Sequence, residues 1–96
     1  MPSYRSILTI GALRPGHGPQ AVEDAARSAV TASTTLESFQ VDIVSGAPRV
    51  TVRFTGTDDT DAREVHDRTT TAVRKVAAAP RAVLAKVVSG RSVPVL

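Results

Sequence analysis

Two segments of strict alternation, joined by a turn, constrain the fold of this chain more than any other feature. In each segment every second residue is apolar, and these apolar residues are Phe39, Val41, Ile43, Val50, Val52 and Phe54. Alternation with a period of two places apolar side chains on one face of a strand. The residues between the segments, Ser45-Gly46-Ala47-Pro48, form a turn of hairpin length. We therefore predict an antiparallel hairpin with one buried face.

The same reasoning places two helices and two more strands along the chain. Residues 4–13 and 82–88 are mainly apolar and are interpreted as strands. Pro19 is suited to the first position of a helix, because its fixed φ is helical and its missing N–H is not needed there. A second apolar stripe at helical spacing follows Asp61 and ends before Pro80. We expect the cluster from Ser89 to Ser92 to break the last strand.

This order of elements predicts an α+β fold of the ferredoxin-like βαββαβ type. It would consist of a four-stranded antiparallel sheet with two helices on one face, because right-handed crossovers place both helices on the same side. The 96 residues fit a single domain, 1–96. We expect residues 89–96 to be a flexible tail or a segment that pairs with a partner.

Composition excludes several classes of function. The chain has no cysteine, so disulfides, thiolate chemistry and cysteine-type zinc sites are ruled out. No apolar run approaches the roughly 18–20 residues that a membrane span needs, and the N-terminus lacks the pattern of a signal peptide. We expect a cytoplasmic protein without membrane contact, metal or cofactor. The net charge of +3 comes from basic residues spread along the chain, so it does not indicate a polyanionic partner.

The loop between the first strand and the first helix is the candidate ligand site. A junction of this kind presents free backbone N–H groups and the positive end of a helix dipole to an anion. Neither the dinucleotide-binding pattern nor the lysine of a P-loop is present. The expected ligand-binding residues are Arg14, Gly16, His17 and Gly18.

A strand followed by Arg14-Pro15-Gly16, a helix and a β-hairpin resembles the ACT domain, a small ligand-binding regulatory module. In that family an Arg-Pro-Gly turn commonly follows the first strand. The resemblance implies that an amino acid or another small effector binds near this turn, at an interface between domains.

The sheet face opposite the helices is the candidate interface, because nothing in the sequence covers it. Its members are Arg5, Ile7, Thr9, Arg49, Thr51 and Arg53. A homodimer that covers this face is the expected partner. RNA-recognition domains of this architecture stack bases on aromatic side chains, which this face lacks, so we expect no nucleic acid. Weak electrostatic binding of nucleic acid through the arginines stays as an alternative.

The function that these features favour is a non-enzymatic module that self-associates and binds a small ligand or anion near the first loop. The alternative is a small enzyme that uses the Arg14–Gly18 loop, with His17 as acid or base because its side chain titrates near neutrality. His66, at the flank of the second helix's apolar stripe, is interpreted as a boundary residue rather than a ligand.

Overall fold

The computed structural model describes all residues from 1 to 96 and contains one antiparallel sheet and two helices. In chain order the elements are β1 (Ser3–Thr9), α1 (Pro19–Thr31), β2 (Leu36–Val44), β3 (Ala47–Thr55), α2 (Asp59–Arg74), β4 (Arg81–Val88) and β5 (Arg91–Pro94). The strands pair in the order β2-β3-β1-β4-β5. The fold is therefore α+β, with β1 at the centre of the sheet.

The prediction of a four-stranded ferredoxin-like sheet is wrong, because the chain adds a fifth strand after β4. Ser89 and Gly90 adopt φ angles of 50° and 77°, and the chain folds straight back so that β5 pairs antiparallel with β4. The backbone N–H of Val95 then donates to the carbonyl of Leu84 at 2.9 Å. Residues 89–96, for which we expected a flexible or partner-pairing tail, form this turn and the strand, after which Val95 packs on the core and Leu96 is exposed.

Both hairpins of the sheet use the same tripeptide at their turn. Val44-Ser45-Gly46 has φ angles of 52° and 80° at the serine and glycine, nearly the same values as at Ser89 and Gly90. Positive φ at both central residues defines the type I′ turn, whose twist matches that of paired strands. The turn explains why two residues suffice to connect β2 to β3 and β4 to β5.

The core lies between the sheet and the two helices. From Tyr4 to Ile10 every second residue of the first strand and its extension is buried, and Phe54 of β3 stacks on the Tyr4 ring with centroids 6.0 Å apart. The helices contribute small and branched residues to the same cluster, chiefly Val22, Ala26, Val30, Ala62, Val65 and Val73. Because residues of both helices and the inward side chains of β1, β3 and β4 share one cluster, both helices cover the same face of the sheet.

The apolar face of β2 is less covered than its alternation predicts. Phe39 is half-buried, while Val41 is 56% exposed and Ile43 is 69% exposed. Alternation identifies which side chains share a face, but burial also needs a second layer above that face. The fully buried part of the core ends at β3, and β2 extends past the cover that α1 provides.

The turn between β4 and β5 can be tested with two substitutions of opposite expected sign. Gly90→Ala should lower the free energy of unfolding by about 1 kcal/mol, because an alanine at positive φ is strained. Ser89→Asn should raise it by a few tenths of a kcal/mol, since asparagine tolerates this conformation better than serine. Urea unfolding followed by circular dichroism measures both changes. Equal effects of the two variants would contradict the type I′ turn.

Candidate functional site

An apolar groove lies between the start of α1 and the hairpin β2–β3. It encloses about 460 Å³. We define the apolar groove by its hydrophobic lining residues, Ile10, Leu13, Val22, Phe39, Val41, Ile43 and Val50. Ile10, Val22 and Val50 form its buried base, whereas Leu13, Val41 and Ile43 remain exposed around its mouth. Ligand pockets of small proteins fall in this size range and are mainly apolar.

The polar side chains at the rim of the groove satisfy one another. Glu23 accepts a hydrogen bond from Nε of Arg27 at 2.6 Å, and Gln20 donates to the carboxylate of Asp24 at 3.1 Å. The guanidinium of Arg27 also lies 5.3 Å from the centroid of the Phe39 ring. The acidic group at the rim is therefore already paired with a cation, and the groove offers a neutral, mainly apolar environment.

Arg14, the first of the predicted ligand-binding residues, has a structural role. Its Nε donates to the carbonyl of Arg74 at 2.6 Å, and its backbone N–H donates to the carbonyl of Val76 at 2.9 Å. Leu13 forms an isolated bridge with Ala77 beside these bonds. Arg14 thus ties the first loop to the C-terminal end of α2, and its side chain occupies an otherwise open carbonyl of that helix.

The other predicted loop residues form an exposed turn at one end of the groove. Gly16 has a φ of 83°, and the N–H of His17 donates to the carbonyl of Arg14 at 3.1 Å. Gly18 is the N-cap residue of α1 and offers no side-chain cap. Gly16, His17 and Gly18 are not part of the groove lining, although Leu13 and Pro19 on either side of the loop are. His17 therefore sits outside the concave site.

The structure brings all six predicted interface residues together on the open sheet face. Paired positions on β1 and β3 place Arg5 beside Arg53, Ile7 beside Thr51 and Thr9 beside Arg49. Toward β5, Arg5 donates to the hydroxyl of Ser92 at 2.8 Å. Toward β2, Arg53 lies 3.6 Å from the carboxylate of Glu37. This face is basic, since Arg81 of β4, the backbone partner of Thr9, adds a fourth arginine to it.

Sequence reasoning missed a buried polar pair between β1 and α2. Oγ of Ser6 lies 2.6 Å from Nδ1 of His66, and the two residues are 0% and 9% exposed. The interpretation of His66 as a boundary residue overlooked this contact. The sequence does indicate this contact. Ser6 alternates with Tyr4 and Leu8 on the same face of β1, and a polar side chain that points into the core requires a hydrogen-bond partner.

The environment of His66 favours its neutral ring. Burial lowers the pKa of His66 from 6.5, the positive charge of Arg74 lowers it further, and Asp67 acts in the opposite direction. A serine hydroxyl beside an imidazole is the arrangement of a nucleophile and its base. Here no substrate could reach the hydroxyl, because Ser6 is fully buried. The pair therefore joins a strand to a helix.

A second polar contact anchors Tyr4 at the start of α2. Its hydroxyl donates to the carboxylate of Asp59 at 2.7 Å. Burial, the hydrogen bond to Asp59 and the nearby acids Asp58 and Asp61 raise the pKa of Tyr4 to about 12. The phenol is therefore a donor at neutral pH and fixes the N-terminal turn of α2 over β1.

Two further findings concern metals and membranes. No group of three or more histidine, cysteine or acidic side chains is arranged to hold a metal ion. Neither helix has the length and apolar character required to cross a bilayer.

Comparisons with models of protein families, with curated proteins and with solved structures found no match to this chain. The assignment of function consequently depends on the geometry of the molecule itself.

The buried histidine predicts how stability depends on pH. The pKa of His66 is lower in the folded protein than the 6.5 of the unfolded chain, so folding favours the neutral ring. This contribution is fully present above pH 6.5 and is lost as pH falls from there through the folded-state pKa. Unfolding free energies at a series of pH values should decline toward acid, by at most about 1.4 kcal/mol per pH unit from this group.

Two histidine variants separate this contribution from that of the acids. His66→Gln should flatten the decline just below pH 6.5, whereas His17→Gln, a change at an exposed loop residue, should leave it unchanged. If both variants kept the wild-type slope, the buried histidine would not be its source.

Proposed function

We propose that this protein is a non-enzymatic binding module that self-associates and holds a compact, mainly apolar small molecule in the apolar groove. The observation that carries the proposal is the position of Val41 and Ile43. Both are more than half exposed at the mouth of a concave site of about 460 Å³. Scattered exposed apolar residues are ordinary, but a contiguous concave set marks a binding surface.

Burial of these side chains supplies enough free energy for useful affinity. A valine or isoleucine that becomes fully buried contributes about 1.5–3 kcal/mol. A ligand that covers Val41, Ile43 and the exposed part of Leu13 gains several kcal/mol before the entropy of association is subtracted. Dissociation constants in the micromolar to millimolar range follow for a small compound. Such an affinity suits a module that senses a metabolite.

The chemistry of the groove restricts the ligand. Its only acidic side chain, Glu23, is paired with Arg27, so a charged head group would find no free counterion within the groove. A neutral compound with a branched aliphatic or aromatic body fits the lining best. Phe39 adds an aromatic face on which a planar group can stack.

The similarity to the ACT domain supports the same site. The turn at Arg14-Pro15-Gly16 lies at one end of the groove, since Leu13 and Pro19 flank the loop and line the groove. In the ACT family small effectors bind near the corresponding turn. The proposed role is therefore regulatory recognition of a small molecule, with Arg14 holding the loop in place through its bond to Arg74.

A neutral fluorescent probe, N-phenyl-1-naphthylamine, tests the groove. Ile43→Ser should weaken probe binding by about fivefold or more, because the substitution removes at least about 1 kcal/mol of apolar contact. Val83→Ser is the matched control, since Val83 is also exposed but lies on the open sheet face. Its binding should stay within about twofold of wild type.

Two results would contradict the groove as the site. One is an equal loss of probe affinity in the two variants. The other is the absence of chemical-shift changes at groove amides when the probe is titrated into labelled protein.

A further inference from the structure

The outer edge of β2 exposes a regular series of unpaired backbone groups. A two-residue turn makes Val44 and Ala47 a hydrogen-bonded pair, and the pairs then alternate along the hairpin. Phe39, Val41 and Ile43 occupy the positions that direct N–H and C=O away from β3. Pro48 of β3 lies opposite Ile43, and its carbonyl accepts a hydrogen bond from the N–H of Ile10, which follows β1. The Pro48 carbonyl therefore points away from β2, as this assignment requires. β2 therefore presents three donors and three acceptors to solvent.

The opposite edge of the sheet is protected against pairing. β5 has only four residues. The same alternation from the turn at Ser89-Gly90 directs the backbone of Ser92 and Pro94 outward, and proline has no N–H to donate. Short edge strands and edge prolines are the usual means by which proteins prevent edge-to-edge association. β2 has nine residues, no proline and an exposed apolar row.

We propose that two copies of this chain pair antiparallel through β2, with Val41 of one copy opposite Val41 of the other. In this register all three outward residues find partners, because Phe39 of each copy lies opposite Ile43 of the second copy. Each of the three pairs exchanges two backbone hydrogen bonds. A shift toward the turn loses one pair, and a shift the other way meets the irregularity between Leu36 and Ser38.

Side chains on both faces favour the same register. On the helix face the two rows of Phe39, Val41 and Ile43 form one continuous apolar cluster. On the open face Gln40 lies beside Asp42 of the second copy, where the amide can donate to the carboxylate. The register shifted toward the turn would instead place Asp42 opposite Asp42, and like charges in that position are destabilising.

The open sheet face is a poorer surface for self-association. Packing it on itself would bring Arg5, Arg49, Arg53 and Arg81 against the same basic surface of the second copy, with only Glu37 and Asp42 of opposite charge on each side. Edge pairing leaves these arginines in solvent.

Pairing through β2 completes the apolar groove. Val41 and Ile43, at the exposed mouth of the groove, belong to β2, the edge strand, so the groove has no wall beyond them. The second copy extends this apolar surface with its own Ile43, Val41 and Phe39, and its α1 forms the opposite wall. The dimer itself stands on backbone geometry, whereas the joined ligand site rests on the function proposed above.

Complementary charges at the twofold axis test the register. Val41→Lys and Val41→Glu should each weaken dimerisation by about 100-fold or more, since each copy loses a buried valine worth about tenfold and gains a like charge opposite its own. An equimolar mixture of the two variants should recover a dimer. The introduced lysine of one copy meets the introduced glutamate of the other only if position 41 lies opposite itself.

Analytical ultracentrifugation of the full chain, of each variant and of their mixture measures whether the protein is a monomer or a dimer. A wild-type protein that stays monomeric at its highest soluble concentration would overturn the proposal. Variants that remain dimeric would assign the contact to another surface, and variants whose mixture stays monomeric would exclude this register. Circular dichroism confirms that each variant is folded.

Amide hydrogen exchange provides a second readout that needs no variant. The N–H groups of Phe39, Val41 and Ile43 should become protected as wild-type concentration rises, while the outward N–H of Ser92 should not. Probe binding reports separately on the groove. A dimer that binds no probe would overturn only the ligand site. A monomer that binds it would overturn the pairing and the proposed self-association, but not the ligand site.

Discussion

The packing of α1 and α2 against the inward side chains of β1, β3 and β4 is the interaction on which the rest of the structure depends. At the middle of the sheet Leu8, Val52 and Leu84 are at most 5% exposed, and Phe54 stacks on Tyr4. Two helices supply cover for the middle of the sheet, and the end of β2 nearest the turn, with Val41 and Ile43, lies beyond it. An apolar row that satisfies the strand pattern therefore stays in contact with water. The apolar groove is the direct consequence of this limited cover.

Several features follow from local sequence alone, and others depend on contacts that sequence does not record. Alternation from Val50 to Phe54 identifies the buried face of β3, and Pro19 marks the first residue of α1. β5 was missed although its turn repeats the Val-Ser-Gly of the first hairpin, which was itself interpreted as a turn. Four residues ending in proline carry too weak an alternation to indicate a strand, so the repeated turn was the only usable signal.

In the candidate site, too, the sequence pattern predicts where residues lie but not which distant residues they contact. The position of Arg14 in a loop before a helix predicts a ligand contact, but its guanidinium donates to the carbonyl of Arg74, sixty positions later in the chain. Ser6 and His66 are likewise separated by sixty positions, and their contact is set by how α2 crosses β1. Sequence pattern gives the face on which a residue lies. The partner across the core is decided by helix placement, which no local pattern encodes.

The arrangement of charge and apolar surface connects these observations. Arg5, Arg49, Arg53 and Arg81 lie on the open face, and the apolar groove lies on the helix face, so the two surfaces are separated by the sheet itself. Antiparallel pairing through β2 keeps this separation, because a twofold axis perpendicular to a continuous sheet leaves each face on its own side. The paired molecule would carry both grooves on one surface and these four arginines of each copy on the other. Ligand in the joined groove would then bear directly on the β2 contact, because Val41 belongs to both, and binding and pairing would be thermodynamically linked.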